Sequence, residues 1–403
     1  MINLEIPRKL ELVARMARDI AEGMFRPISR KYDRAEHSYP VELDSLRAIL
    51  DGMAEGGGSL GADSLSQARK SSDEGIRNGK NMASVLNVME LARGDLGLLL
   101  AIPGQGLGNS AIAAVATPEQ KERFAGKWAS MAITEPEAGS DSASIRTTAV
   151  LDPETDEWVL NGEKIYVTSG ARAELIVVWA TIDRSAGRAA IKSFVVPRDT
   201  PGCELARLEH KLGIRASDTA AFSFTDCRIP RANLLGSEDV RSKKGFAGVM
   251  QTFDNTRPVV AAMALGVSRA SLDRTWELLA PCGVDRRFDR PRWQLDATRA
   301  ELARMEAEWE GARLLTLKAA WMADNGQPNS KHASMAKAKA GRVATDIALR
   351  CVELCGTIGY GEDELLEKWA RDAKITDIFE GTQQIQQLIV ARRVLGKSSR
   401  DLR

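Results

Sequence analysis

The sequence predicts an α+β protein with an N-terminal helical domain, a middle β-sheet domain and a C-terminal four-helix bundle. Three observations carry this reading. Apolar residues recur three and four apart up to Phe124, short β-branched and aromatic runs take over between Met131 and Pro230, and helical spacing returns after Gly245. Strands and helices do not alternate, so a doubly wound parallel sheet is not expected. A chain of 403 residues holds two or three units at roughly 150 residues each, placed here at 1–127, 128–237 and 238–403.

In the first unit Leu10, Val13, Met16 and Ile20 mark one amphipathic helix, and Val85, Met89, Ala92 and Leu96 mark another. Gly56-Gly57-Gly58-Ser59 separates the two helical groups. Thr117-Pro118-Glu119-Gln120 supplies a capping hydroxyl, a proline at the first helical position and an amide at the third, which starts a helix ending near Gly126. In the second unit Trp158-Val159-Leu160, Lys164-Ile165-Tyr166-Val167, Leu175-Ile176-Val177-Val178-Trp179 and Lys192-Ser193-Phe194-Val195-Val196 read as strands. Asn161-Gly162, between the first two, is a hairpin signal. In the third unit Leu295, Leu302, Met305, Trp309 and Ala312, then Val343, Ile347, Cys351 and Leu354, form the buried stripes of long helices packed as a bundle. Gly104-Gln105-Gly106-Leu107-Gly108 follows no strand, so it fails the context of a dinucleotide fingerprint.

Composition narrows the function classes. Hydrophobic residues at 44% and charged residues at 28% exclude a disordered or collagen-like chain. The 56 Lys and Arg against 55 Asp and Glu give a net charge of +1, which sets up no field to gather nucleic acid or an anionic membrane. Apolar runs such as Val259 to Val267 fall short of the roughly 20 residues that cross a bilayer, so no membrane insertion is expected. The charged start, Met1 to Lys9, does not read as a signal peptide. Five sparse cysteines fit free thiols in a reducing, cytoplasmic setting. Cys351 and Cys355 sit four apart but lack a second ligand pair, so no metal is expected.

Three stretches carry candidate chemistry. Thr134-Glu135-Pro136-Glu137-Ala138-Gly139-Ser140-Asp141 offers backbone N–H groups beside hydroxyls and a glycine, which suits a phosphate or a flat heteroaromatic ring and equally a solvated turn. Tyr166 and Thr168 alternate onto one strand face, suiting a cofactor ring and its nitrogen or a sheet core. Phe379-Glu380-Gly381-Thr382-Gln383-Gln384 places a lone carboxylate between an aromatic residue and a glycine. That glutamate reads either as a base with a raised pKa or as an exposed residue at a helix start.

Together with Phe253-Asp254-Asn255-Thr256-Arg257-Pro258-Val259-Val260-Ala261-Ala262, these stretches resemble the acyl-CoA dehydrogenase family in order and spacing, nearest to its medium-chain branch, from about Val85 to Val394. The resemblance implies an FAD-dependent oxidoreductase of fatty acid β-oxidation that desaturates an acyl-CoA thioester and passes electrons to an electron-transfer flavoprotein. It implies Glu380 as the base at Cα, because the alternative position used by some branches is Thr256 here. It implies cofactor contacts at Thr134, Ser140, Tyr166, Thr168, Thr382 and Gln384, with Tyr166 standing where the family usually has Trp. Substrate contacts are implied at Ser140, Phe253, Arg257, Gly381 and Arg392.

Two stretches depart from the family. Where its members read Arg-x-x-Phe-Gly the chain reads Asp285-Arg286-Arg287-Phe288-Asp289, and where they read Gln-x-x-Gly-Gly it reads Glu353-Leu354-Cys355-Gly356-Thr357. In the family both reach the neighbouring subunit's FAD, where a carboxylate beside a phosphate is unfavourable. The departures fit either a homo-oligomer with compensation by Arg286 or Arg287, or a hetero-oligomer with a second acyl-CoA dehydrogenase-like chain. An oxidase and a flavin-binding assembly subunit are the other readings on this fold.

Overall fold

A computed structural model describes residues 6, 8–47, 79–104, 107–240, 245–286, 290–398 and 401, with the backbone alone at Lys9, 245–255 and Arg292. Helix α1 (Arg8–Ile20) continues through a π-helical turn into α2 (Arg26–Arg34). Leu10 and Ala17 are buried on α1, whereas Met16 is exposed. At 100° per residue the contact stripe from residues 10 and 13 passes through 17, so Met16 does not belong to it. The expected Gly56–Ser59 break lies outside the described residues, as do Gln105 and Gly106 of the glycine run.

Helices α3 (Lys80–Gly94), α4 (Leu96–Ala101), α5 (Leu107–Val115) and α6 (Pro118–Arg123) follow. Val85, Met89, Ala92 and Leu96 are all buried. Asp95 interrupts that run in extended conformation and caps α4 by accepting from the Leu98 N–H at 2.8 Å. Both bonds of the capping box between Thr117 and Gln120 are present, and α6 stops at Arg123, ahead of Gly126.

One mixed sheet fills the middle of the chain: β1 (Ala129–Ala132), β2 (Thr148–Asp152), β3 (Glu157–Thr168), β4 (Leu175–Thr181), β5 (Ile191–Pro197), β6 (Cys203–Leu208), β7 (Thr219–Pro230) and β8 (Leu234–Leu235). The order is β6-β7-β3-β2-β4-β5-β8, with β1 parallel to β4. Asn161-Gly162 does not turn a hairpin. Both residues lie inside β3, where the register with β7 shifts between Leu160 and Gly162. The Asn161 amide exchanges hydrogen bonds with the backbone N–H and carboxylate of Asp226 across the bulge. A Cβ on Gly162 would meet Thr147 Oγ1 at 2.5 Å, so the glycine serves close approach.

The chain then enters α7 (Gly245–Leu279), α8 (Ala297–Asp324), α9 (Ser330–Tyr360), α10 (Leu366–Ala373) and α11 (Gln383–Leu395). Leu302, Met305 and Ala312 of α8 and Val343, Ile347 and Cys351 of α9 are buried against one another and against α3 and α7, as the stripes predict. Trp309 belongs to this packing: its indole N–H donates to the Leu265 carbonyl at 2.9 Å. Residues of α1 to α4 and of α7 to α10 thus share one apolar core, and two smaller clusters line the two faces of the sheet. Among the described residues no helix is long and apolar enough to cross a membrane.

Candidate active site

The loop from α10 to α11 carries Glu380. Ahead of it, α10 is fastened by the buried Lys368 ammonium, which lies 2.6 Å from both Asp95 and Asp372. Burial opposes the Lys368 charge, but the two carboxylates outweigh it and its pKa is raised. The other Asp372 oxygen accepts from the Ile214 N–H at 2.5 Å, joining α10 to the loop between β6 and β7. Ahead of α11, the Thr382 hydroxyl caps the helix by accepting from the Ile385 N–H. Between these anchors Glu380 and Gly381 take φ values of +56° and +86°. A left-handed glycine is ordinary, whereas a left-handed glutamate is held there by its surroundings.

Those surroundings are specific. Gln386 donates to the carbonyls of Glu380 and Gly381 at 3.1 and 3.0 Å, and the buried Lys337 ammonium donates to the Gly381 carbonyl at 2.7 Å. The Glu380 carboxylate accepts from the Thr256 hydroxyl at 3.2 Å. Burial pushes its pKa above the usual carboxylate value, against the opposing influence of Thr256, Arg257 and Lys337. Lys337 itself is pushed down to about 8 by burial, with Asp377 and Glu380 resisting. The result is a carboxyl group whose proton affinity is raised by burial and held in check by a hydroxyl and two buried cations. Such a group is suited to taking a proton from carbon.

A second cluster forms on the sheet. The Ile165 N–H donates to the Thr134 carbonyl at 2.9 Å, bringing the exit of β1 against β3. Beneath it the buried Glu135 carboxylate accepts from Lys164 Nζ at 2.7 Å, from the Thr147 hydroxyl at 2.6 Å and from the N–H groups of Arg146 and Thr147. A second register shift, between Lys164 and Val167, leaves Tyr166 at φ +58° and 61% exposed. Thr168 is exposed as well, and Val167 between them is buried. The Thr134 and Thr168 hydroxyls make no hydrogen bond among the described residues. An open aromatic ring beside two uncommitted hydroxyls fits a flat heteroaromatic ring with polar edges.

The two clusters are connected through the backbone. Ser169, next to Thr168, donates its N–H to the Asp218 carbonyl at 3.0 Å, on the same loop whose Ile214 bonds Asp372 of α10. Of the remaining expected residues, Ser140 is exposed in the turn after Glu135, Gln384 is exposed on α11, and Arg392 is half-buried near the end of α11. Arg257 is buried beside the Glu380 carboxylate. Phe253 lies on α7, its side chain outside the described residues. Sequence reasoning missed Lys337 and Gln386. The available signal was Lys337 itself, a lysine set on the buried Ala333, Ala336, Ala340 and Ala344 face of α9.

At the two departures, Asp285 accepts from Arg299 Nε at 3.1 Å, Arg286 bonds Asp273 at 2.7 Å, and Glu353 pairs with Arg350. Residues 287–289 lie outside the described residues.

Comparison with known proteins matches three family domains along the chain: the acyl-CoA dehydrogenase N-terminal domain over residues 7–132, the middle domain over 130–227 and the C-terminal domain over 243–395. The chain is 36% identical to the mitochondrial short-chain specific acyl-CoA dehydrogenase of Bos taurus, covering 98% of this chain and 92% of the relative. It is 32% identical to an acryloyl-CoA reductase (NADH) of Anaerotignum propionicum, covering 98% and 96%. Butyryl-CoA dehydrogenase from Megasphaera elsdenii superposes with a TM-score of 0.83 at 29% identity, over 98% of this chain and 100% of that one. A chain in a structure described as the electron transferring flavoprotein of Acidaminococcus fermentans superposes with a TM-score of 0.81 at 30% identity, over 98% and 100%. The expected medium-chain likeness is corrected by relatives that are short-chain. Three matched domains in order and relatives spanning nearly the whole length place this chain in the acyl-CoA dehydrogenase family of flavin-dependent oxidoreductases.

Proposed function

We propose that the chain desaturates a short-chain acyl-CoA thioester between Cα and Cβ, with Glu380 as the base. The observation that carries this reading is the Glu380 carboxylate on its left-handed turn, bonded by Thr256 and flanked by Arg257 and Lys337. A saturated thioester has a weakly acidic α C–H, so the base must be fixed against that carbon and shielded from water. Lys337 and Gln386 fix it by clamping the carbonyls of the turn. The Glu380 N–H is assigned to the thioester oxygen, where negative charge builds as the proton leaves.

FAD, held against Thr134, Ser140, Tyr166, Thr168, Thr382 and Gln384, supplies the hydride acceptor for Cβ when bound. Ser140, Phe253, Arg257, Gly381 and Arg392 are assigned to the acyl-CoA. The short-chain relatives support a short acyl group, and the neighbour described with an electron transferring flavoprotein supports that class of protein as the electron acceptor. The test is anaerobic mixing of the yellow enzyme with saturated acyl-CoAs of graded length. Flavin absorbance bleaches with butyryl-CoA and less with long chains, and the reduced enzyme then reduces an electron-transfer flavoprotein faster than it yields peroxide. Failure of every acyl-CoA to bleach the flavin contradicts the reading.

A further inference from the structure

The chain has three histidines, and two of them meet a glutamate where the end of α2 touches the loop after β6. The Glu36 Oε2 atom accepts from His210 Nδ1 at 2.9 Å, and its other oxygen accepts from the Lys211 N–H at 2.8 Å. The His37 and His210 rings lie 4.9 Å apart. One donor atom from each of Glu36, His37 and His210 lies within 4.8 Å of the others. His37 is the unusual member. Its backbone is left-handed at φ +71°, and both of its ring nitrogens are closed off from solvent without a hydrogen-bond partner among the described residues. Two buried ring nitrogens on a half-buried imidazole, neither satisfied, are costly unless something bonds them.

We propose that Glu36, His37 and His210 bind a first-row divalent cation of the zinc type, tying the end of α2 to the loop between β6 and β7. Two imidazoles and one carboxylate are donors that Zn²⁺ takes in tetrahedral sites, with water completing the fourth position. In such a site bond lengths of about 2.0–2.2 Å set donor pairs about 3.4 Å apart. The three donors lie within 4.8 Å of one another, and the His210 side chain, 83% exposed, has room to turn toward a cation. His210 Nδ1, now turned to Glu36, takes the cation in the ring's other tautomer, with its proton carried on Nε2.

The neighbouring charges are mixed. Lys211 opposes a cation, but its ammonium is turned to the Ser217 carbonyl at 2.8 Å. Asp218 favours one and is itself paired with Arg172 at 3.3 Å. Glu36 adds an anionic group at the site itself, oriented by His210 Nδ1 and the Lys211 N–H. The loop so anchored runs on to Ile214 and its bond to Asp372, so the cation braces a segment that reaches the base-bearing loop without touching substrate.

The experiment is calorimetric titration of chelator-treated holoenzyme with ZnCl₂, repeated on His210→Ala and on His37→Asn, a residue that tolerates the left-handed backbone. The parent is expected to bind one Zn²⁺ per chain and to melt at a higher temperature with Zn²⁺ than without. Each variant is expected to bind roughly tenfold or more weakly and to lose the thermal shift. His210→Ala keeps the metal-free rate of flavin reduction, and its exposed ring makes it the informative variant if His37→Asn fails to fold. No binding by the parent at millimolar Zn²⁺, or equal affinity in the parent and His210→Ala, overturns the site.

Discussion

Read from its neighbours alone, Glu380 is either a base with a raised pKa or an exposed residue at a helix start, and only the resemblance to the family singles it out. What sets its strength is not legible. Lys337 reads as one more charge on a lysine-rich helix until the fold buries it, and Gln386 reads as a solvated amide. Lys337→Met should keep the helix, since α9 loses no packing volume of note, but it removes the bond to the Gly381 carbonyl and a cation near Glu380. Flavin reduction is expected to slow by roughly tenfold or more, and its acid limb should move to higher pH because losing a positive neighbour raises the carboxyl pKa further. Stopped-flow reduction across pH checks both; an unmoved limb would leave Lys337 a packing role only.

The folded-state pKa of Glu380 lies above its ordinary value, so the base is recruited as pH rises through that raised pKa, later than for an exposed carboxylate. Lys337, lowered from 10.5 to about 8, binds its proton less tightly folded than unfolded. Stability from this group therefore rises with pH between about 8 and 10.5. On the flavin side, Thr168→Ala deletes a hydroxyl uncommitted within the protein. A bond to a buried ring nitrogen contributes about 0.5–1.5 kcal/mol, so a several-fold loss of FAD affinity or of reduction rate is expected, with the melting temperature of the apoprotein unchanged. Equal affinity and equal rate would remove Thr168 from the site.

At the scale of elements, periodicity located the helices and strand runs but could not see how they end. Asn161-Gly162 has the local signature of a tight turn. The same two residues serve a bulge because β7 lies alongside to pair both halves of β3, and Asp226 answers the Asn161 amide. Only the tertiary partner separates the two outcomes. Likewise the run from Val85 to Leu96 reads as one helix, and Asp95 breaks it to cap α4 and to hold Lys368 of α10, a residue far along the chain. Lys368→Met should leave Asp95 and Asp372 as buried carboxylates without their shared cation. Breaking such a pair typically costs about 3–5 kcal/mol, so the denaturant midpoint should fall sharply. A midpoint close to the parent's would mean that water or another cation reaches the pair.

At the scale of the molecule, the succession of helical, sheet and helical regions was legible because each has its own hydrophobic period. The oligomer was not, because only the resemblance to the family assigns Asp285, Glu353 and Thr357 to a boundary with another chain. Asp285 and Glu353 each have an arginine within this chain, Arg299 and Arg350, that balances their negative charge. The chain expressed alone is expected to carry less than one FAD per protomer and to gain loading from a partner chain that supplies the missing donors. Light-scattering mass with a flavin-to-protein ratio decides this, and a fully yellow, active homo-oligomer would contradict it.

The account as a whole rests on one carboxylate. Glu380→Gln keeps the shape of the turn and the clamps from Lys337 and Gln386 while removing the proton acceptor. Anaerobic mixing of this variant, loaded with FAD, with butyryl-CoA should show binding with flavin reduction slowed by about 10²- to 10⁴-fold or more. Reduction within a few-fold of the parent rate would show that the α-proton leaves to some other group, and that Glu380 is not the base.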